Sequence, residues 1–224
     1  MKYFLDSAKL DEIEIAYEQY GFDGVTTNPK HIMNSGKSFN RAIRDIAAYV
    51  ADKPDFPVSV EINPHLQTAN EMIQMAEEVS SISNNFVIKI PTNQQGIIAA
   101  RQLELRGIRT NMTLVFSPAQ SIMPGKIGAK YVSPFVGWKE DFGDDGLDYV
   151  KQVVDIYHTY HFDTEIIVAA VRAAKQIQDA AVMGADIVTC GLSVFESSFA
   201  NPYTDLGLKT FQDAWDNTKT EQVI

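Results

Sequence analysis

The chain has one cysteine in 224 residues, Cys190, so no internal disulfide can form, and a reducing cytoplasm is the expected compartment. No unbroken apolar run approaches the ~20 residues of a membrane-spanning helix. The opening stretch is interrupted by Asp6 and Lys9, so no signal peptide is expected. Positive charge is scarce, with 19 Lys and Arg against 29 Asp and Glu, a net charge of −10. Such a surface repels nucleic acid and anionic lipid. Neither is an expected partner, and an anionic small molecule would need a local basic pocket. No glycine-rich dinucleotide fingerprint follows any apolar run. No His, Cys, Asp or Glu grouping has metal-site spacing, and Asp141 to Asp148 reads as a solvated loop, not a calcium loop. Neither a dinucleotide site nor a metal site is therefore expected. No low-complexity stretch or Pro/Gly/Ser-rich linker divides the chain, which predicts a single domain over residues 1–224.

What does recur is a short apolar run followed by a helical pattern. Strands are predicted at Tyr3–Asp6, Gly24–Thr27, Val58–Ile62, Phe86–Ile90, Thr110–Val115, Tyr131–Val136, Glu165–Ala170 and Asp186–Cys190. Amphipathic segments such as Thr68–Ser80, Gln94–Arg106, Gly146–Tyr160 and Ala173–Met183 lie between them. The alternation predicts an α/β fold, a single (β/α)₈ barrel with an extra C-terminal helix, ahead of a doubly wound open sheet. That last helix, Leu206–Asn217, carries Phe211 and Trp215 at i, i+4. The pair calls for a neighbour, either its own barrel or an adjacent subunit.

In such a barrel chemistry sits where strands end, and the strand ends here are unusually polar. Asp6, Thr27-Asn28, Glu61, Lys89, Asn111 with Thr113, Ser133 and the following Arg172 stand in or beside otherwise apolar runs. Lys89 interrupts Phe86-Val87-Ile88-Lys89-Ile90-Pro91. Burying an ammonium is costly, so it must be paired or neutralised. A neutral lysine can condense with a ketone to an iminium, an electron sink for carbon–carbon cleavage. A lone strand lysine also fits snorkelling to the rim or a plain ion pair; acids on neighbouring strands favour the chemical role. Asp6 and Glu61 are those acids and can share the proton transfers that such a reaction needs. Asp6 is equally compatible with a helix cap, and Glu61 with a simple salt bridge to Lys89. Asn28, Asn111 and Thr113 suit a polyhydroxylated substrate, although Thr27-Asn28-Pro29 is also an ordinary strand-to-helix turn. Cys190 reads as a small core residue, and His158 and His161 as surface or C-cap residues.

Taken in order, Phe4-Leu5-Asp6, Gly24-Val25-Thr26-Thr27-Asn28-Pro29, Val60-Glu61, Ile88-Lys89-Ile90-Pro91, Thr110-Asn111-Met112-Thr113-Leu114, Ser133-Pro134-Phe135-Val136-Gly137 and Ala169 to Arg172 resemble the transaldolase family. The closer likeness is to its short subfamily, which includes the fructose-6-phosphate aldolases. The resemblance implies Lys89 as Schiff-base lysine, Asp6 as acid/base, and Glu61 with Thr113 holding a catalytic water. It implies Asn28 and Asn111 on substrate hydroxyls, with Thr27, Ser133, Phe135 and Ala170 also lining the site, and neither a metal nor an organic cofactor. It further implies cytoplasmic decamers of two pentamers, with the C-terminal helix reaching a neighbour. Aldolase-type members carry Gln at the position of Glu61 and Tyr at that of Phe135, so transfer of dihydroxyacetone is expected over its release. A catalytically silent sugar-binding barrel is disfavoured by the joint presence of Asp6, Glu61 and Lys89.

The pattern breaks at the substrate's terminal anion. Family members bind phosphate there with an Arg after strand six and a Ser-x-Arg group after strand seven. This chain has Trp138 at the first place and Ala170-Val171-Arg172 at the second, and Lys30-His31 replace a Ser and an aliphatic residue after Thr-Asn-Pro. Each lost charge-assisted bond is worth about 1.5–3 kcal/mol. The indole N–H of Trp138 donates one hydrogen bond without charge. A monoanion such as sulfonate suits this pocket better than phosphate, which carries nearly two charges. The expectation is a branch acting on 6-deoxy-6-sulfofructose, releasing sulfolactaldehyde and handing dihydroxyacetone to glyceraldehyde 3-phosphate, with Lys30 or His31 assisting at the anion. An ordinary fructose-6-phosphate or sedoheptulose-7-phosphate transaldolase, with Lys30 restoring the missing charge, is the alternative.

Overall fold

The computed structural model describes residues 1–218; the last six residues of the expected domain lie outside that range. Eight strands close into a parallel barrel. They are β1 Lys2–Asp6, β2 Gly24–Thr26, β3 Val58–Glu61, β4 Phe86–Pro91, β5 Thr110–Val115, β6 Tyr131–Pro134, β7 Glu165–Val171 and β8 Ile187–Cys190. The expected strands are all present, with ends that coincide or differ by at most two residues. Around them run α1 Leu10–Glu18, α2 Pro29–Asn34, α3 Phe39–Tyr49, α4 Ala69–Ser80, α5 Gln94–Leu105 and α6 Pro118–Ile127. The remaining helices are α7 Gly137–Asp141, α8 Asp148–Tyr160, α9 Ala174–Met183, α10 Leu192–Ser197 and α11 Pro202–Asp216. Among the described residues no helix is long and apolar enough to cross a membrane.

Side-chain alternation along the strands divides the apolar residues into two cores. One lies between sheet and helices and holds residues such as Leu5, Val25, Val60, Ile88, Ile90 and Met112. The other is a plug inside the barrel made of Phe4, Val87, Tyr131, Ile167 and Ile187. Phe4 of β1 meets Tyr131 of β6 edge-to-face at 5.7 Å between ring centroids, a contact between strands that are not neighbours. Two residues further along the same strands come Asp6, Lys89, Ser133, Ala169 and Thr189. The barrel interior thus changes from apolar to polar in one pleat step, toward the C-terminal ends of the strands.

Two strand irregularities shape that end. The register of β5 against β6 shifts between Met112 and Val115, and that of β7 against β8 between Val168 and Val171. Leu114 and Ala170 sit in these bulges with φ of 59° each. Left-handed backbone at a residue with a Cβ costs about 1–2 kcal/mol, and bulges of this kind re-aim side chains beside sites.

The C-terminal helix does not use its own barrel. α11 buries none of its residues, and Leu206, Phe211 and Trp215 are all exposed. Cys190 is buried, and burial, followed by the charge of Asp6, pushes its thiol up to about 12, as suits an inert core residue.

The strand bearing Lys89 is locked to its following helix by close backbone approach. A Cβ on Gly96, in the first turn of α5, would stand 1.9 Å from the carbonyl oxygen of Pro91. Gly96→Ala is expected to cost about 1–3 kcal/mol through overpacking. For a domain of this size that lowers Tm by roughly 2–12 °C, measurable by calorimetry. A Tm unchanged within about 1 °C would show that the end of β4 yields instead.

Candidate active site

The strand ends surround a cavity of about 440 Å³ whose walls include Asp6, Asn28, Glu61, Lys89, Phe135 and Arg172. Its floor is the polar layer above the aromatic plug. Lys89 is 3% exposed, and pairing of β3 with β4 puts it directly opposite Glu61. Its Nζ lies 3.1 Å from Glu61 Oε2, donates to the carbonyl of Thr27 at 3.1 Å, and sits 5.9 Å from the ring centroid of Phe135. The amine is therefore paired on one side and bounded by an aromatic face on another.

Asp6 closes β1 and is no helix cap, since α1 begins at Leu10 with Lys9 as its N-cap. Thr26 donates to Asp6 Oδ1 at 2.8 Å, and Thr26 and Thr189 share a further hydroxyl contact at 2.6 Å. Nε2 of His31 stands 3.1 Å from Asp6 Oδ2. Burial pushes the Asp6 carboxyl up, but the hydrogen bond and charge of His31, the charge of Lys89 and the hydroxyl of Thr26 outweigh it. The net result is a carboxyl held below its ordinary range. Lys89, Glu61 and Asp6 thus meet in one cavity.

The neutral residues divide. Asn28 and Ser133 line the cavity. Asn28 caps α2 through its side-chain oxygen, which accepts from the backbone N–H of His31 at 3.0 Å, leaving its amide nitrogen as the free end. Asn111 lies in the wall with both ends of its amide used, Nδ2 donating to Ser59 Oγ at 3.0 Å and Oδ1 accepting from Ser133 at 2.7 Å. Thr113 is buried, and its hydroxyl has no hydrogen-bond partner among the described residues. Thr27, expected among the residues that line the site, is not one of those lining the cavity. Its hydroxyl donates to the carbonyl of Ser59 at 2.9 Å, and its own carbonyl holds Lys89, so Thr27 acts on the amine from behind.

Trp138, Arg172, Ala170 and Lys30 also line the cavity, and the backbone just before Trp138 packs against Arg172 and Ala170. Gly137 permits this: a Cβ there would lie 2.3 Å from the Ala170 carbonyl oxygen and 3.0 Å from Arg172 Nε. With no side chain in the way, α7 rests on the bulge of β7. Trp138, still 48% exposed, stacks on Phe116 at 5.9 Å and meets Phe135 edge-on at 5.6 Å. Arg172 is paired with Asp141. Asp141, exposed at the end of α7, thus shares the charge of Arg172, and His31 faces Asp6. Phe116 and Asp141 carry no signal in the sequence: one reads as core after a strand, the other as part of an acidic turn. Among the described residues no three His, Cys, Asp or Glu side chains come together as a metal site.

Comparison with known proteins agrees with this geometry. The chain is 56% identical over its whole length to the 6-deoxy-6-sulfo-D-fructose transaldolase of Priestia aryabhattai, covering 99% of that protein. It matches the protein of the same name from Priestia megaterium to the same extent. It is also 45% identical to a probable transaldolase of Dictyoglomus turgidum, over 96% of this chain and 98% of the other. The family described as Transaldolase/Fructose-6-phosphate aldolase matches residues 3–223. With a closed eight-stranded barrel and that match over nearly its full length, the chain is an enzyme belonging to the transaldolase/fructose-6-phosphate aldolase family.

Proposed function

We propose that this transaldolase works through a Schiff base on Lys89. It would move a dihydroxyacetone unit from 6-deoxy-6-sulfofructose to glyceraldehyde 3-phosphate, releasing sulfolactaldehyde and forming fructose 6-phosphate. The observation that carries the proposal is the buried amine of Lys89 on the cavity floor, 3.1 Å from one carboxylate and in the same cavity as a second.

Lys89 Nζ attacks the C2 carbonyl of the ketose, its surplus proton passing to Glu61. The carbinolamine loses water to give the iminium. Asp6 removes the proton of the C4 hydroxyl; the C3–C4 bond breaks, and its electron pair moves into the iminium to form an enamine. The aldehyde fragment leaves. The enamine carbon then attacks the acceptor aldehyde, Asp6 returns its proton to the new alkoxide, and water hydrolyses the product iminium. Glu61 and the otherwise unpartnered hydroxyl of Thr113 are the groups suited to hold that water. Phe135 gives the amine an aromatic face without a hydroxyl that could protonate the enamine, which favours transfer over release.

Three features support a sulfonated donor. Trp138 offers a neutral N–H donor, and Ala170 supplies no hydroxyl. Arg172 shares its charge with Asp141, so the pocket presents less than a full guanidinium to the ligand. Lys30 on the rim supplies the second cation, which lets the phosphate of the acceptor bind too. The full names of the Priestia proteins point the same way. The proposal extends to assembly: a homo-oligomer, a decamer of two pentamers, is supported by the exposed apolar face of α11.

Borohydride reduction in the presence of a ketose substrate should attach one fragment to Lys89, read by peptide mass spectrometry. Lys89→Met should take up no label and lose activity by about 10³-fold or more. Retained turnover in that variant would sink the mechanism.

With one acceptor, kcat/KM for sulfofructose should exceed that for fructose 6-phosphate. The margin expected is about tenfold, the worth of one charge-assisted bond. A tenfold preference for the phosphate sugar would return the enzyme to ordinary transaldolase chemistry.

Light scattering should find the wild type as a large assembly, and the double variant Phe211→Glu, Trp215→Glu as a smaller one. A wild-type monomer would refute the assembly.

A further inference from the structure

Asp6 has a partner that the reaction as written does not use. The sequence after β2 fixes it there. Asn28, in extended backbone at φ −159°, caps α2 and is followed by Pro29 in the first turn. The Asn28 side chain accepts from the backbone N–H of His31 at 3.0 Å. That bond sets the first helical turn so that the imidazole reaches back over the end of β1. Nε2 of His31 and Oδ2 of Asp6 are 3.1 Å apart, with both side chains largely buried at 24% and 21% exposure. Oδ1 is taken by Thr26 at 2.8 Å, so each carboxylate oxygen has its own donor.

The imidazole also forms a partition. Asp6, His31 and Gly191 line the main cavity, and the same three line a second cavity of about 380 Å³ behind it. Charged or titratable groups facing this region are Lys9 and Glu12 near the start of α1, Lys30 of α2, Glu196 from α10, Lys89 and Glu61 from β4 and β3, Arg172 after β7 and Cys190 of β8. Lys9 is paired with Glu12 at 2.9 Å, and Glu196 accepts from Tyr20 at 3.2 Å. Among the described residues His31 is the group that contacts Asp6 from this side.

We propose that His31 is a positioning residue for Asp6, its imidazole fixing Oδ2 so that the carboxylate stays ionised and aimed at the substrate hydroxyl through both proton transfers. The inference rests on the reading of Lys89 and Asp6 given above. Burial alone would favour the protonated acid, which cannot take up the proton of the C4 hydroxyl. The hydrogen bond and charge of His31 are the foremost influences drawing the Asp6 carboxyl down against that burial. Removing the imidazole therefore raises the pH at which Asp6 ionises, and the acid limb of the kcat profile moves to higher pH. His31 does not touch the forming Schiff base, so condensation at Lys89 should survive its loss.

The test uses the full chain as wild type and as His31→Leu, His31→Ala and His31→Gln. Each is assayed for transaldol activity with sulfofructose and with fructose 6-phosphate across pH, and each is trapped with dihydroxyacetone and borohydride. His31→Leu and His31→Ala should label Lys89 as the wild type does. They should lose roughly tenfold in kcat at neutral pH, a part of the general-base contribution, with KM little changed. Their acid limb should lie at higher pH. His31→Gln, which returns a neutral donor near the place of Nε2, should recover part of both effects. Labelled variants whose kcat profiles superimpose on the wild type, or that change only in KM, overturn this inference alone. A wild type that traps no label overturns the Schiff-base reading, and this inference with it.

Discussion

Lys89 and Glu61 face each other across the β3–β4 pairing, and the rest of the site is arranged around the consequences. A buried ion pair is a poor source of stability, because desolvating two charges offsets most of their attraction. An apolar pair of similar volume in the barrel interior would serve the fold at least as well. Breaking the pair by removing one partner is different, since it strands a buried charge at a cost of about 3–5 kcal/mol. The barrel accommodates the pair by placing it where packing changes character, above the Phe4 and Tyr131 plug and below the open cavity. The carbonyl of Thr27 accepts a hydrogen bond from the amine. Ser133, Asn111 and Ser59 form a chain of two hydrogen bonds beside it, so this part of the wall is polar and paired.

Much of this was legible in the sequence because the period of two is rigid. Once Phe4, Val87, Tyr131 and Ile187 are placed inside the barrel, Asp6, Lys89, Ser133 and Thr189 must point the same way one pleat later. Polar residues in apolar runs therefore located the site before any distance was known. Roles that depend on which neighbour a side chain reaches were not legible. Thr27 and Asn111 have the right chemistry for a sugar, yet one holds the amine by its carbonyl and the other is committed within the wall. The bulges at Leu114 and Ala170 also left no trace, since residues with a Cβ do not announce left-handed backbone as glycine or asparagine would. Asp141 looked like one acid among several in a turn. Only the close seat of Gly137 on the β7 bulge brings its helix to Arg172.

The two ends of the cavity solve opposite electrostatic problems in a protein of net charge −10. At the floor the problem is an excess of buried charge, met by pairing Lys89 with Glu61 and supplying Asp6 with two donors. At the mouth, on the function proposed, the problem is to attract an anion against the field of the whole molecule with few cations. Arg172 partly spent on Asp141, an uncharged indole and a rim lysine make a weakly positive pocket. Such a pocket discriminates by charge count: each extra unit on the ligand gains less attraction here while its desolvation cost is undiminished. The stack of Phe116 on Trp138 fits the same reading, since it holds the uncharged indole in one place beside Phe135.

These two ends are mechanically linked through β6. Its residue Ser133 closes the hydrogen-bond chain at the floor, and the segment that follows carries Phe135 over the amine and Trp138 to the mouth. The flanking strands β5 and β7 both bulge where they meet this segment, which frees Phe135 to bridge to Ala169 while its ring turns inward. A change in the aromatic stack therefore acts on both the anion and the amine. Replacing Phe116 by a smaller side chain would loosen Trp138 at the mouth and, through the shared edge-on contacts, Phe135 at the floor. Phe116, Phe135 and Trp138 thus form one packed aromatic unit, and on the function proposed it is the unit that couples the choice of substrate to the chemistry at Lys89.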